Sequence, residues 1–125
     1  MLKFIEGMPP DVLAIEAVGT VTHDDYRTVL IPRAEAMMTK GPVKMVYVIG
    51  PDFTGYELEA LWDDGAFGLK HWREFKRIAV VADQAWMRAA ISVFAPFFPA
   101  EVRLFNLSEL SAAKSWIVNP QRVAG

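Results

Sequence analysis

The sequence predicts an α/β domain built on a mixed five-stranded sheet, with an antiparallel hairpin first and parallel strands after it. Three observations point there. Apolar residues alternate with period two at the start of the chain. From Thr22 onward, strand-like runs alternate with stripes of helical period. Two of those strands, Val43–Ile49 and Ile78–Ala82, are apolar on both faces, as strands covered on both sides are.

Leu2 to Glu6 is the first expected strand, and Gly7-Met8-Pro9-Pro10-Asp11 supplies turn chemistry. Val12 to Val18 completes the hairpin. Thr22 to Asp25 offers capping residues for a helix with its stripe at Tyr26, Val29, Leu30, Ala34 and Met37. Pro32 lies inside that pattern and is expected to kink or split the helix. Gly41-Pro42 ends it. After the strand Val43–Ile49, a helix is expected from Thr54 to about Lys70, burying Leu58, Leu61, Trp62, Ala66 and Leu69. A strand follows at Ile78–Ala82, a helix at Ala85–Ala95, a strand at Val102–Phe105 and a helix at Ser108–Val118. The order ββαβαβαβα implies helices on both faces of the sheet.

Composition narrows the function. The chain has 125 residues, the length of one domain, so residues 1–125 are expected to form a single unit. It has no cysteine, which excludes disulfides and thiolate metal sites. With 13 basic and 15 acidic residues and no basic stripe, it lacks the electrostatic footprint of a nucleic-acid binder. No apolar run approaches the length of a signal peptide or a membrane span, and a cytoplasmic location is expected. The hydrophobic fraction is 53 %, with eight Phe and four Trp, more apolar surface than a core of this size requires.

Trp62-Asp63-Asp64, Phe67-Gly68, His71-Trp72 and Phe75-Lys76-Arg77-Ile78-Ala79-Val80-Val81 resemble the central block of the SpoIIAA-like bacterial proteins. The likeness continues through Asp83, Trp86 and Val102-Arg103-Leu104-Phe105 to Ala113 and Trp116. It implies a fold related to the STAS domains of anti-sigma-factor antagonists and similar in architecture to the CRAL-TRIO lipid-binding domains. It implies no reaction.

Three constellations carry the functional expectations. Asp63, Phe67 and His71 follow at gaps of four, on the side of their helix opposite Leu58, Trp62 and Leu69. Phe67 there marks a ligand pocket or a partner surface, such as a homodimer contact. If the helix breaks near Gly65 or Gly68, Phe67 instead returns to the core. A metal or an acid–base pair is disfavoured, because Asp64 and His71 stand roughly 10 Å apart along a helix. His23 beside Asp24 and Asp25 is explained by capping. The second constellation is Phe94-Ala95-Pro96-Phe97-Phe98-Pro99, after a helix that is apolar almost all round. Such a helix wants two covered faces. The third is Asp52-Phe53-Thr54-Gly55. Thr54 can be laid on the phosphorylated Ser of the antagonists, but a capping box with Glu57 explains it without a kinase.

No nucleophile motif, P-loop or dinucleotide fingerprint is present, so the expectation is a binding module without cofactors. Its ligand would be a small hydrophobic or lipid-like molecule held between sheet and helices by Trp62, Phe67, Ile91, Phe94, Phe97 and Phe98, with His71 and Arg73 at a polar head group. The alternative is a STAS-type regulatory protein–protein module, with Thr54 as its phosphorylation candidate.

Overall fold

Five strands, β1 (Leu2–Phe4), β2 (Val12–Val21), β3 (Val43–Tyr56), β4 (Phe75–Val81) and β5 (Glu101–Phe105), lie side by side in chain order. β1 pairs with β2 antiparallel, and β2 to β5 are mutually parallel. The mixed sheet expected from the sequence is therefore the sheet observed. The structure is a computed structural model and describes residues 1–60, 66–67, 70–71 and 73–119.

Alternation along each strand sorts the core into two halves. Leu13, Ile15 and Ala17 of β2, Met45 and Ile49 of β3 and Val80 of β4 face one side. Val12, Ala14, Val46, Val48, Ala79 and Val81 face the other. This is the period-two pattern of strands buried on both faces. The first side carries α1 (His23–Asp25), α2 (Ile31–Met38) and α3 (Ala85–Phe94), through Tyr26, Leu30, Ala34 and Met87. The second carries α4 (Leu110–Val118), which seats Ala113, Trp116 and Ile117 on the sheet.

Thr22 opens α1 with a capping box: its backbone N–H donates to Asp25 Oδ2 at 2.8 Å, and its hydroxyl accepts from the Asp25 N–H at 3.2 Å. Partial burial works against the Asp25 carboxylate, yet hydrogen bonds from Thr22 and the Met1 ammonium hold its pKa below the usual value. Pro32 is accommodated without a break. Tyr26–Leu30 form a π-helical turn between α1 and α2, and Ile31 N–H reaches back to the Tyr26 carbonyl. Proline brings no donor and crowds the carbonyl four residues back, and a widened turn relieves both problems.

β3 runs seven residues beyond the expected end at Ile49. Gly19 in β2 makes this possible. It adopts φ +60° at a register shift, a left-handed conformation that glycine takes without steric cost. Pairing then resumes through Thr20↔Gly55 and Val21↔Tyr56. The expected helix start at Thr54 is therefore corrected. Thr54 sits in β3, exposed, with its hydroxyl 3.0 Å from that of Thr20. Neither a capping role nor a helix N-terminus applies to it. Glu57 accepts from the His23 backbone N–H at 3.1 Å instead, tying the end of β3 to the start of α1.

The helical segment after β3 turns its other side inward. Leu58 and Ala66, expected in the buried stripe, are exposed, while Ala60, Phe67 and His71 are buried. Leu61, Trp62, Asp63, Asp64 and Leu69 lie outside the described residues. Phe67 is therefore core, not a surface patch. Hydropathy alone assigned His71 outward. The imidazole can be buried because both ring nitrogens have carboxylate partners.

Candidate functional site

α3 is the least embedded of the longer helices. Only Met87 is buried, with Ile91 partly so. Its one charged residue, Arg88, points inward and donates from Nη1 to the carbonyls of Ala82 and Phe105, both at 3.0 Å. That fork anchors the helix to the ends of β4 and β5. Pro96 ends the α-helical run at Phe94, and Ala95–Phe97 continue as a 3-10 turn.

Under α3 lies a cavity of about 200 Å³. Met45, Tyr47 and Ile49 of β3 and Ile78 and Val80 of β4 form its floor. Met87, Ile91 and Phe98 roof it, and Leu30, Phe67, Phe75 and Tyr56 close the sides. Phe67 and Phe75 meet edge-on, 6.1 Å between ring centroids. All the described lining residues are apolar except two tyrosines. Tyr47 and Tyr56 bring their hydroxyls 3.0 Å apart, and Tyr26 lies 3.3 Å beyond Tyr47, so three phenols form a chain at one wall. The β3 extension past the Gly19 bulge is what carries Tyr56 into this chain.

Behind Phe67 sits His71, its ring centroid 4.7 Å from the phenyl. Nε2 faces Glu35 Oε2 of α2 at 3.0 Å, and Nδ1 faces Glu74 Oε2. Lys70 Nζ also reaches Glu35 Oε2, at 3.1 Å. The Lys70 hydrogen bond, and then that of His71, hold the Glu35 carboxyl below its ordinary pKa. This cluster latches the segment around Phe67 to α2. Both nitrogens face protein carboxylates, and Arg73 is exposed.

Of the residues expected to hold a ligand, Phe67, Ile91 and Phe98 converge on the cavity. Phe94 and Phe97 do not. They are 63 % and 72 % exposed and are not among the described residues that line it. Trp62 lies outside the described residues. Sequence reasoning missed Tyr47 and Tyr56. The available signal was Tyr47 itself, a phenol on the inward face of a strand buried on both sides, where the hydroxyl must find a partner. Among the described residues no group of three potential metal ligands occurs. No helix among them is long and apolar enough to cross a membrane.

The described residues thus form a mixed α/β sheet with a largely apolar cavity under a lightly seated helix. The SpoIIAA-like family model matches residues 12–118, and the chain belongs to that family. A solved structure of an uncharacterised protein from Shewanella loihica PV-4, described as a DUF3478 family member with a SpoIIAA-like fold, is similar to it. That structure is 31 % identical, with TM-score 0.76, over 93 % of each chain. No curated protein matches.

Proposed function

We propose that this protein is a non-enzymatic regulatory module that works by binding another protein through the outer face of α3 and the turn after it. One observation carries the reading. Trp86, Val93, Phe94 and Phe97 are all strongly exposed, on a helix whose only charge is turned inward. Uncharged aromatic surface of this kind marks interaction sites. Membership in the SpoIIAA-like family supports the same reading.

Photocrosslinking in cells tests it. A photoreactive residue in place of Phe97 is expected to give a discrete adduct that Trp86→Glu removes. The same probe at Lys3, exposed on β1, is expected to give none. Identical adducts from both positions, or none from either, would contradict the proposal.

The cavity supports a second reading, a small apolar ligand bound beneath α3. It is smaller than the roughly 300–1,000 Å³ of drug-sized sites, which weighs against a lipid with a long chain.

A further inference from the structure

We propose that the free edge of β5 is a self-docking surface: two copies of this chain join their sheets by antiparallel pairing of their β5 strands, with Val102 opposite Val102. This surface is separate from the outer face of α3.

The backbone supplies the contacts. β5 is the last strand of the sheet. The Phe105 carbonyl accepts from the Ala82 N–H at 2.9 Å, and Phe105 lies in register with Val81. Phe105, Arg103 and Glu101 therefore turn their backbone N–H and C=O groups toward β4, and alternation turns those of Val102 and Leu104 outward. No described residue pairs with these outward groups. Such an edge is a template for another strand. The opposite edge is guarded. β1 is three residues long, and its exposed middle residue is Lys3, a common device against edge pairing.

The side chains select the occupant. Glu101 and Arg103 are exposed, one acid and one base two positions apart on the face that Phe105 shares. With Val102 opposite Val102, the second copy sets its Arg103 against Glu101 and its Glu101 against Arg103. Both fall at the closely spaced, non-hydrogen-bonded pairs, where opposite charges attract most. The strand is complementary to itself, and a two-fold axis closes the association at a dimer. Placing Val102 opposite Leu104 instead would set Arg103 against Arg103. Arg103 is already positioned: its guanidinium lies 5.6 Å from the Phe105 ring and 5.9 Å from that of Trp116. Stacked there, it keeps N–H groups for a carboxylate. Arg77, the neighbour of Glu101 on β4, donates elsewhere, to the Ile117 carbonyl at 3.2 Å.

Sedimentation velocity of the full chain across a concentration series tests this. A monomer–dimer equilibrium is expected, weakened by salt. Glu101→Arg and Arg103→Glu are each expected to weaken the dimer roughly tenfold or more, because like charges then meet twice. Mixing the two variants is expected to restore a dimer, and so is the double exchange within one chain. Val102→Pro, which removes an outward donor and no bond to β4, is expected to leave a monomer. If that variant does not fold, the two surface charge changes carry the test. Trp86→Glu is expected to keep the dimer. A parent that stays monomeric at every soluble concentration would overturn the proposal and leave the edge to a strand of another protein or to none. A dimer lost in Trp86→Glu but kept in the β5 variants would overturn it in favour of the α3 face. Charge variants that weaken the dimer but do not recover on mixing would overturn the antiparallel register.

Discussion

α3 and α4 each carry one tryptophan and are comparably apolar in sequence, Ala-Trp-Met-Arg-Ala-Ala-Ile-Ser-Val-Phe against Leu-Ser-Ala-Ala-Lys-Ser-Trp-Ile-Val. Their fates differ. Trp116 of α4 is 2 % exposed and packs beside Phe105 at 6.0 Å, whereas Trp86 of α3 is 60 % exposed. The sheet makes the difference. Beneath α4 it offers Val46, Val48, Ala79 and Val81, short side chains that let a helix settle closely. Beneath α3 it offers Met45, Tyr47, Ile49, Ile78 and Val80, which floor the cavity. Helix composition alone does not decide burial. The surface a helix lands on does, and here it yields one sealed face and one unsealed face.

The contrast can be broken by placing matched changes on the two faces. The largest effect is expected for Val81→Asp, an unpaired charge in the sealed layer, which is expected to cost several kcal/mol and prevent folding. Val80→Asp, one residue away but bordering the cavity, is expected to cost less. Equal losses in denaturant melts would remove the distinction. Next come the tryptophans: Trp116→Ala is expected to cost about 3–5 kcal/mol, and Trp86→Ala only about 0.5 kcal/mol or less. A smaller contrast is expected between Ile117→Ala, at about 2–5 kcal/mol, and Ile91→Ala, whose side chain already borders empty space.

The smallest effect concerns the latch behind Phe67. Glu35 has its folded pKa lowered by Lys70 and His71, so its contribution is present above its unfolded pKa near 4.5 and is lost as pH falls through the lowered folded value. The parent is therefore expected to lose melting temperature on acidification below about pH 4.5. Glu35→Gln is expected to show a shallower loss across that window. The Glu35 side chain is well exposed, so solvent screening keeps the difference small. Superimposable pH profiles would take Glu35 out of the latch.

Most of the fold was legible because its signals are local. Two-sided strands at Val43–Ile49 and Ile78–Ala82, capping residues at Thr22–Asp25 and Pro96 after a helical run each act within a few residues. The errors arose where a distant partner decides. Asp52-Phe53-Thr54-Gly55 carries turn and cap residues, but pairing with Thr20 and Val21 holds it in a strand. Glu35, thirty-six residues away, is one of the two carboxylates that make burial of His71 tolerable. Its burial turns Phe67 inward. The site was half legible for the same reason. Aromatic density flagged Phe67, Ile91 and Phe98, but could not say that Phe94 and Phe97 face out. The tyrosine chain joins strands and helix turns far apart in sequence.

Native-state hydrogen exchange, resolved by residue, tests the central claim most directly. The account predicts that amides of α3 exchange through a local opening of lower free energy than global unfolding, with weak denaturant dependence, while those of α4 exchange with β3 and β4 only through global unfolding. Equal protection of α3 and α4, with the same steep denaturant dependence, would contradict it and make the two faces of the sheet equally sealed.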